Sequence, residues 1–267
     1  MKAVNNKEKD SLKRVVTSSL IGSTIEWYDF FLYGVVAGLV FNKLYFPAED
    51  PFISTMLAYA TFAIGFVARP LGGIIFGHFG DKVGRKSILV LTLTIMGVST
   101  ALIAVIPTYE QIGIWAPICL IVLRIVQGIG LGGEWGGAVL MAFEHAPPAK
   151  RGFYASIPQI GLSLGLLLSS LIVGILSFVL PNDSFLAWGW RIAFGLSTFL
   201  IFVGLWIRLN VSESPEFKEI KEENKESGVP LKEMWKGNFG NVMAGMGARY
   251  IDAVSYTHLT LPTMAVV

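Results

Sequence analysis

"GHFGDKVGRKS", residues 77–87, is a short charged turn between two long apolar segments. The segments on its two sides, residues 52–77 and 87–107, carry a single charged side chain between them, Arg69. Each has the ~20 apolar residues that a helix needs to cross the ~30 Å hydrocarbon core of a bilayer. Two such segments joined by a charged turn predict a pair of membrane-spanning helices.

The composition extends this prediction to the whole chain of 267 residues, which is 53% hydrophobic and only 15% charged. A soluble domain carries about 25% charged residues. The segments long and apolar enough to span are residues 17–41, 52–77, 87–107, 113–141, 153–180 and 188–209, and a seventh begins near 239. The sequence therefore predicts an all-α membrane protein built on a six-helix bundle.

Several classes of function have no support in the sequence. The single cysteine, Cys119, excludes an intrachain disulfide framework and a cysteine-rich metal site. The three histidines lie far apart and show no ligand spacing, so we expect no metal and no cofactor. No Ser/His pair or H-E-x-x-H helix is present, and no basic stretch with interleaved aromatics, so we expect neither an enzyme nor nucleic-acid binding.

The positive charges predict the orientation in the membrane. Sixteen Lys and Arg residues lie in the N-terminus and in the stretches that follow the second, fourth and sixth spans. The loops after the first, third and fifth spans contain one, Lys43. Cytoplasmic loops carry the excess of Lys and Arg. We therefore expect a cytoplasmic N-terminus and a cytoplasmic loop over residues 210–238.

Two carboxylates interrupt the first span. In "STIEWYDFFLYG", residues 23–34, Glu26 and Asp29 are spaced i, i+3 and share one side of a helix. A charge at this depth is costly, which points to function. At 1.5 Å per residue, Glu26 lies ~14 Å from the cytoplasmic end and Asp29 ~18 Å. Asp29 is thus near the midplane, where an ionisable side chain marks an ion or substrate pathway or a proton relay.

Three further charges lie inside other spans. The same arithmetic places Arg69 and Glu134 ~12 Å and ~11 Å from the cytoplasmic side, and Arg124 ~26 Å from it. Our hypothesis is that Glu26, Arg69 and Glu134 form a structural or gating cluster, in which Arg69 neutralises one or both acids. Asp29, biased by Arg124, is then the proton carrier. The alternative is that all five charges pair as structural salt bridges.

Motifs in these segments resemble a known superfamily. The spacing G-x-x-x-D-x-x-G-R-K in residues 77–86 is similar to the signature loop between helices 2 and 3 of the major facilitator superfamily. The resemblance implies a cytoplasmic gate, made here by Gly77, Asp81, Gly84, Arg85 and Lys86. Arg124, Gln127 and Gly128 match R-x-x-Q-G, which the superfamily links to proton coupling.

The resemblance narrows when the motifs are taken in order. The chain resembles the metabolite:proton symporter family in the segments "EWYDFFLYG", "ARPLGG", "GDKVGRK", "GGEWGGAVL", "EHAPPAKRGFYASIPQIG" and "GWRIAF". This resemblance implies proton-coupled symport of a small organic acid or a betaine- or proline-like osmolyte across the bacterial inner membrane. Candidate substrate-binding residues are Tyr28, Tyr33, Gln127 and Gln159.

The resemblance also implies twelve helices in two halves. We expect a cytoplasmic N-terminus over 1–16, the N-terminal six-helix bundle over 17–209, the central loop over 210–238, the start of a partial seventh helix over 239–254, and a tail foreign to the family pattern over 255–267. The loss of apolar pattern at Ser255 predicts a truncated reading frame. A non-transporting membrane scaffold or regulator made from half a transporter is the alternative function.

Overall fold

Long helices dominate the structure, a computed structural model that describes residues 6–210 and 239–247, apart from the side chains of residues 6–11, Asp81 and Trp135. The long helices of the first range are α1 (Asn6–Val36), α2 (Pro51–Val83), α3 (Arg85–Val105), α4 (Trp115–His145), α5 (Arg151–Val179) and α6 (Trp190–Leu209). Short helical pieces cover Asn42–Leu44, Tyr109–Ile112, Pro148–Lys150 and Asn182–Ser184, and π-helical turns cover Ala37–Phe41 and Phe185–Gly189.

Within the described residues, six helical segments are long and apolar enough to cross a membrane, as predicted. They extend beyond the predicted bounds at several ends; the first runs over Leu12–Leu44 because the π-helical turn continues α1 without a break. Large apolar side chains such as Val67, Phe178 and Trp206 are exposed on the outside of the bundle. Lipid contact explains this, since hydrocarbon solvates such side chains while each helix satisfies its own backbone.

Local chemistry fixes where the helices begin and end. The backbone N–H of Phe52 donates to the Asp50 carboxylate at 2.8 Å, and Pro51 occupies the first turn of α2. Both are favoured at a helix N-terminus. Gly84 separates α2 from α3 with φ of 106°, a conformation that is open to glycine and strained for other residues. The charged turn is therefore tight because of Gly84.

Small residues bring the helices close together. A Cβ on Gly128 or Gly132 of α4 would collide with the carbonyl oxygens of Gly65 and Arg69 on α2. A Cβ on Gly165 of α5 would lie 2.6 Å from the backbone nitrogen of Tyr28 on α1. Close approach at glycine is the common way for helices to pack in a bilayer. Gly128 and Gly132 therefore hold α4 against α2.

The end of α3 is tied to α6. Arg191 donates from Nε to the Ala104 carbonyl at 2.9 Å and from Nη2 to the Ile106 carbonyl at 3.2 Å. The Tyr45 hydroxyl donates to the same Ile106 carbonyl at 2.9 Å. The last carbonyls of a helix have no partner within the helix. Arg191 and Tyr45 supply donors to them.

The remaining predicted segments are only partly described. Residues 239–247 are helical, at the start of the predicted seventh helix. The central loop after Asn210, the rest of 239–254 and the tail 255–267 lie outside the described residues, as do residues 1–5.

Candidate functional site

Asp29 lies at the centre of a buried polar network that joins four helices. Its Oδ2 accepts from the Thr100 hydroxyl at 2.6 Å and from Gln127 Nε2 at 3.0 Å, and its Oδ1 accepts from the Ser197 hydroxyl at 3.0 Å. Gln127 Nε2 also donates to Thr100 Oγ1 at 2.8 Å. All four side chains are almost completely buried. The carboxylate is thus surrounded by neutral donors from α3, α4 and α6 and has no direct ion pair among the described residues.

Arg124 reaches this network through Gln127. Its Nη1 donates to Gln127 Oε1 at 3.1 Å, while the Gln127 amide nitrogen donates to Asp29. The Arg124 guanidinium also lies over the rings of Phe30, Tyr33 and Phe62, with its Cζ 4.2–5.1 Å from their centroids. Aromatic faces attract a cation. The structure therefore brings Asp29 and Arg124 together as expected, but with a glutamine between them.

Gly65 makes room for this arginine. A Cβ at Gly65 would lie 2.7 Å from Arg124 Nε and 3.2 Å from its Cζ. Nε and Nη2 of Arg124 have no hydrogen-bond partner among the described residues. The aromatic rings are accordingly the main neighbours of the guanidinium outside the bond to Gln127.

Glu134 pairs with Arg208, which lies at the end of the sixth predicted span and was counted only among the cytoplasmic positive charges. Arg208 makes a two-pronged ion pair with it, from Nη1 to Oε2 at 2.8 Å and from Nη2 to Oε1. Thr92 donates to Oε2 at 2.9 Å, and Arg208 Nη1 also donates to the Leu89 carbonyl at 2.8 Å. Of the two acids that Arg69 was expected to neutralise, singly or together, Glu134 is instead paired with the buried Arg208.

Arg69 and Glu26 remain without an ion pair among the described residues. The Arg69 guanidinium lies over the rings of Trp27, Phe30 and Phe66, with Cζ 4.1–5.0 Å from their centroids. Glu26 is 1% exposed and its Oε1 has no hydrogen-bond partner. The two side chains interact electrostatically. The predicted cluster therefore divides into a closed pair, Glu134 with Arg208, and an open pair, Glu26 with Arg69.

The candidate substrate-binding residues are separated by the fold. The Tyr28 hydroxyl donates to the Ala193 carbonyl at 3.1 Å, and the hydroxyls of Tyr33 and Thr61 are 2.6 Å apart. Both tyrosines are fully buried, and Gln159 is exposed on α5. Of these candidates, Gln127 is the one bonded directly to Asp29.

The predicted gate residues surround the turn between α2 and α3. Arg85 pairs with Glu144 on α4, and Lys86 Nζ donates to the Leu209 carbonyl at the end of α6 at 2.7 Å. Gly77 and Arg85 line a cleft of about 200 Å³ between α2, α3 and α4. The side chain of Asp81 lies outside the described residues. The turn is thus braced to two other helices.

Sequence reasoning missed the hydroxyl donors Thr100 and Ser197 and the cation Arg208. Serine and threonine are common in membrane helices and carry no distinctive pattern, so neither donor stood out. The surroundings of Arg208, "LWIRLN", are a usable signal, since apolar residues flank the charge on both sides. No group of three potential metal ligands occurs among the described residues.

Comparison with known proteins places the chain among transporters. The family described as "Sugar (and other) transporter" matches residues 15–241. The shikimate transporter of Escherichia coli K12 is 49% identical over 207 residues, which are 78% of this chain and 47% of that protein. The glycine betaine/proline/ectoine/pipecolic acid transporter OusA of Dickeya dadantii is 37% identical over 254 residues, 92% of this chain and 50% of that protein. The chain spans about half the length of the curated relatives it matches.

Solved structures agree on the fold. The proton:xylose symporter XylE, a major facilitator superfamily protein, superposes with a TM-score of 0.70 at 17% identity, over 82% of this chain and 48% of that chain. The partially occluded inward-open form of XylE superposes with a TM-score of 0.69 at 18% identity, over 93% of this chain and 60% of that chain. The predicted fold class, a six-helix half of a major-facilitator bundle, is confirmed.

Proposed function

We propose that this chain, which belongs to the sugar (and other) transporter family of the major facilitator superfamily, supplies the N-terminal half of a proton-coupled symporter for a small organic acid or zwitterionic osmolyte. Its relatives are transporters and not enzymes, and those relatives, together with six apolar helices among the described residues, support a multi-pass inner-membrane protein. The named cargoes of those relatives include shikimate, betaine and proline. These are acids or zwitterions, and they support this substrate class.

The observation that carries the proposal is the link Asp29–Gln127–Arg124. A buried carboxylate that accepts three hydrogen bonds from neutral donors can be ionised without a fixed cation. A proton on Asp29 removes its charge and turns one of its oxygens into a donor. Gln127 then loses a charged acceptor for its amide. Because the same Gln127 holds Arg124 through its other end, protonation of Asp29 loosens the restraint on Arg124.

This chain of contacts can couple a proton to a conformational change. Thr100 lies on α3, Gln127 on α4 and Ser197 on α6, so the charge on Asp29 draws three helices towards α1. Loss of that charge weakens all three contacts at once. Alternating access in such transporters is a movement of one half against the other around a central site. Asp29 is therefore the proton carrier, and Gln127 is the relay to Arg124.

The orientation follows from the charges. Arg208 is buried and no longer counts as a loop charge. The other Lys and Arg residues of the loops still lie almost entirely on the side of the N-terminus, which is the pattern of cytoplasmic loops. We infer a cytoplasmic N-terminus and a cytoplasmic turn between α2 and α3. Arg85 and Lys86, held by Glu144 and the Leu209 carbonyl, then brace the cytoplasmic gate.

The test is solute uptake into proteoliposomes under an imposed pH gradient. The chain is reconstituted alone and together with the unmatched half of the E. coli shikimate transporter on a second polypeptide. We expect the paired halves to accumulate a carboxylate or zwitterion when the outside is acidic. Asp29→Asn should abolish this accumulation and retain exchange of labelled for unlabelled solute. The matched control is Asp183→Asn, since Asp183 is exposed outside the long helices.

Two results would contradict the proposal. If the paired halves that carry Asp29→Asn still accumulate solute with the same pH profile, Asp29 is not the proton carrier. Paired halves that insert and fold, yet neither accumulate nor exchange any solute of the panel, favour the non-transporting scaffold.

A further inference from the structure

A groove of about 550 Å³ lies between the start of α1 and the end of α6. Its α1 wall is formed by Lys13, Arg14, Thr17, Ser18 and Ile21, which are spaced so that they share one face of the helix. Every described residue that lines the groove is either uncharged or basic. Ligand sites in proteins commonly occupy about 300–1,000 Å³. The groove is therefore large enough for a ligand, and the charges on its wall favour an anion.

The two cations of the groove are available to a ligand. Lys13 and Arg14 are exposed, and neither forms an ion pair with a carboxylate of the described residues. Thr17 and Ser18 follow them one turn further along α1 and add two hydroxyl groups to the same wall. Ammonium, guanidinium and hydroxyl groups all donate hydrogen bonds, and a phosphate group offers several oxygens that accept them. This wall of α1 therefore matches a phosphate.

The groove changes from polar to apolar with depth. Ile21 lies ~12 Å along α1 from Lys13, and Trp206 lies ~6 Å along α6 from Asn210 at the end of that helix. The Trp206 side chain is 70% exposed on the outside of the bundle. Tryptophan is enriched at the membrane–water interface, where its ring lies at the level of the lipid head groups. The basic end of the groove therefore lies at the membrane surface, and its apolar end reaches the hydrocarbon.

We propose that this groove binds an anionic phospholipid. The lipid phosphate lies against Lys13 and Arg14, and the first part of an acyl chain lies beside Trp206 and Ile207. Charge complementarity favours an acidic head group, because a zwitterionic lipid also carries an ammonium group that the two cations repel. In the proposed orientation the groove opens towards the cytoplasmic leaflet, where basic pockets between helices bind acidic head groups. The inference goes beyond the proposed transport function and takes from it only the orientation.

Quenching of tryptophan fluorescence by brominated lipid tests the site on the whole chain. The purified chain is placed in phosphatidylcholine nanodiscs that contain a varied fraction of brominated phosphatidylglycerol or brominated phosphatidylcholine. The chain has seven tryptophans, so the signal of Trp206 is the difference between the unchanged chain and Trp206→Phe. We expect phosphatidylglycerol to quench Trp206 at a lipid fraction at least about fivefold lower than phosphatidylcholine, as attraction to two cations requires.

Variants identify the cations that select the lipid. Replacing both Lys13 and Arg14 by Gln should bring the two brominated lipids to equal quenching, and Lys13→Arg should retain the preference. The matched control is Lys150→Gln, because Lys150 is an exposed lysine just before α5 and does not line the groove. High salt should reduce the preference of the unchanged chain, since exposed charges are screened. Thermal unfolding of each variant shows that it is folded.

Three outcomes would overturn the lipid site. The two brominated lipids quench the unchanged chain equally, or Lys150→Gln lowers the preference as much as the double variant does. The third is loss of the preference when inorganic phosphate is added at the same concentration of phosphate groups, which would indicate a site for a free anion.

The lipid site and the transport function can fail separately. Nanodiscs present the same lipids in both leaflets, so the binding result does not depend on the orientation of the chain. If the paired halves fail to accumulate solute while phosphatidylglycerol is still preferred, the lipid site stands and the proton-coupled transport is wrong. If accumulation occurs without the preference, the transport function stands and the lipid site is wrong.

Discussion

Arg208 and Glu134 form a buried two-pronged ion pair that ties the end of α6 to α4. The pair is supported by Thr92 and by the Leu89 carbonyl, both on α3. Three helices of the bundle therefore meet at one charged contact. Its surroundings satisfy both charges, in contrast to the neighbouring Glu26 and Arg69.

Removal of either member of the pair should destabilise the bundle. Glu134→Gln or Arg208→Gln leaves the partner charge buried, which costs about 3–5 kcal/mol. The double substitution should recover much of this loss because no uncompensated charge remains. Thermal unfolding in detergent measures all three variants. Additive losses in the double variant would contradict the coupling.

Gly22 should be intolerant of a side chain because of the same ion pair. A Cβ at Gly22 would lie 2.9 Å from both Cζ and Nε of Arg208, so Gly22→Ala displaces the guanidinium. We expect a loss of about 1–3 kcal/mol in the free energy of unfolding. Gly174→Ala on α5 is the matched control, as its Cβ meets nothing within 4 Å. Equal stability of the two variants would show that Arg208 moves freely.

Gln127 should be required for proton coupling. Gln127→Leu breaks the link between Arg124 and Asp29 and leaves both charges in place. We expect pH-driven accumulation to fall about tenfold or more, with exchange affected less, since a hydrogen bond to a charged group is worth about 1.5–3 kcal/mol. Ser197→Ala removes one donor from the other carboxylate oxygen and preserves the link, so its effect should be smaller. The reverse order of the two variants would contradict the relay.

Gly84 should be the sensitive glycine of the charged turn. Its φ of 106° makes Gly84→Ala strained by about 1–3 kcal/mol. Gly80→Ala, in the same turn, places a Cβ in ordinary contact 3.8 Å from Ile88 and should be tolerated. Unfolding temperatures of the two variants test the difference. Equal tolerance would mean that the turn adopts another backbone conformation.

Arg191 should stabilise the end of α3. Lysine cannot reach both carbonyls in the geometry of a guanidinium, so Arg191→Lys should cost about 1–2 kcal/mol. Tyr45→Phe removes one of the two donors to the Ile106 carbonyl and should cost less. Hydrogen exchange of the α3 backbone provides the measurement. Unchanged protection in both variants would contradict the capping role.

Much of the fold follows from the sequence alone. Apolar length predicted the six spans found among the described residues, because each helix must satisfy its own backbone in hydrocarbon and only a long apolar segment can do so. Helix rise also predicts that Glu26, Arg69 and Glu134 share one layer of the membrane. Neither argument depends on which helices are neighbours.

Tertiary structure alone decided the partners of the buried charges. Depth along the membrane is one coordinate, whereas an ion pair also needs two helices to be adjacent with side chains directed at one another. The sequence therefore could not assign Glu134 to Arg208, nor place Gln127 between Asp29 and Arg124. Close packing at glycines settles those neighbours, and it leaves Glu26 and Arg69 with atoms that no described residue satisfies.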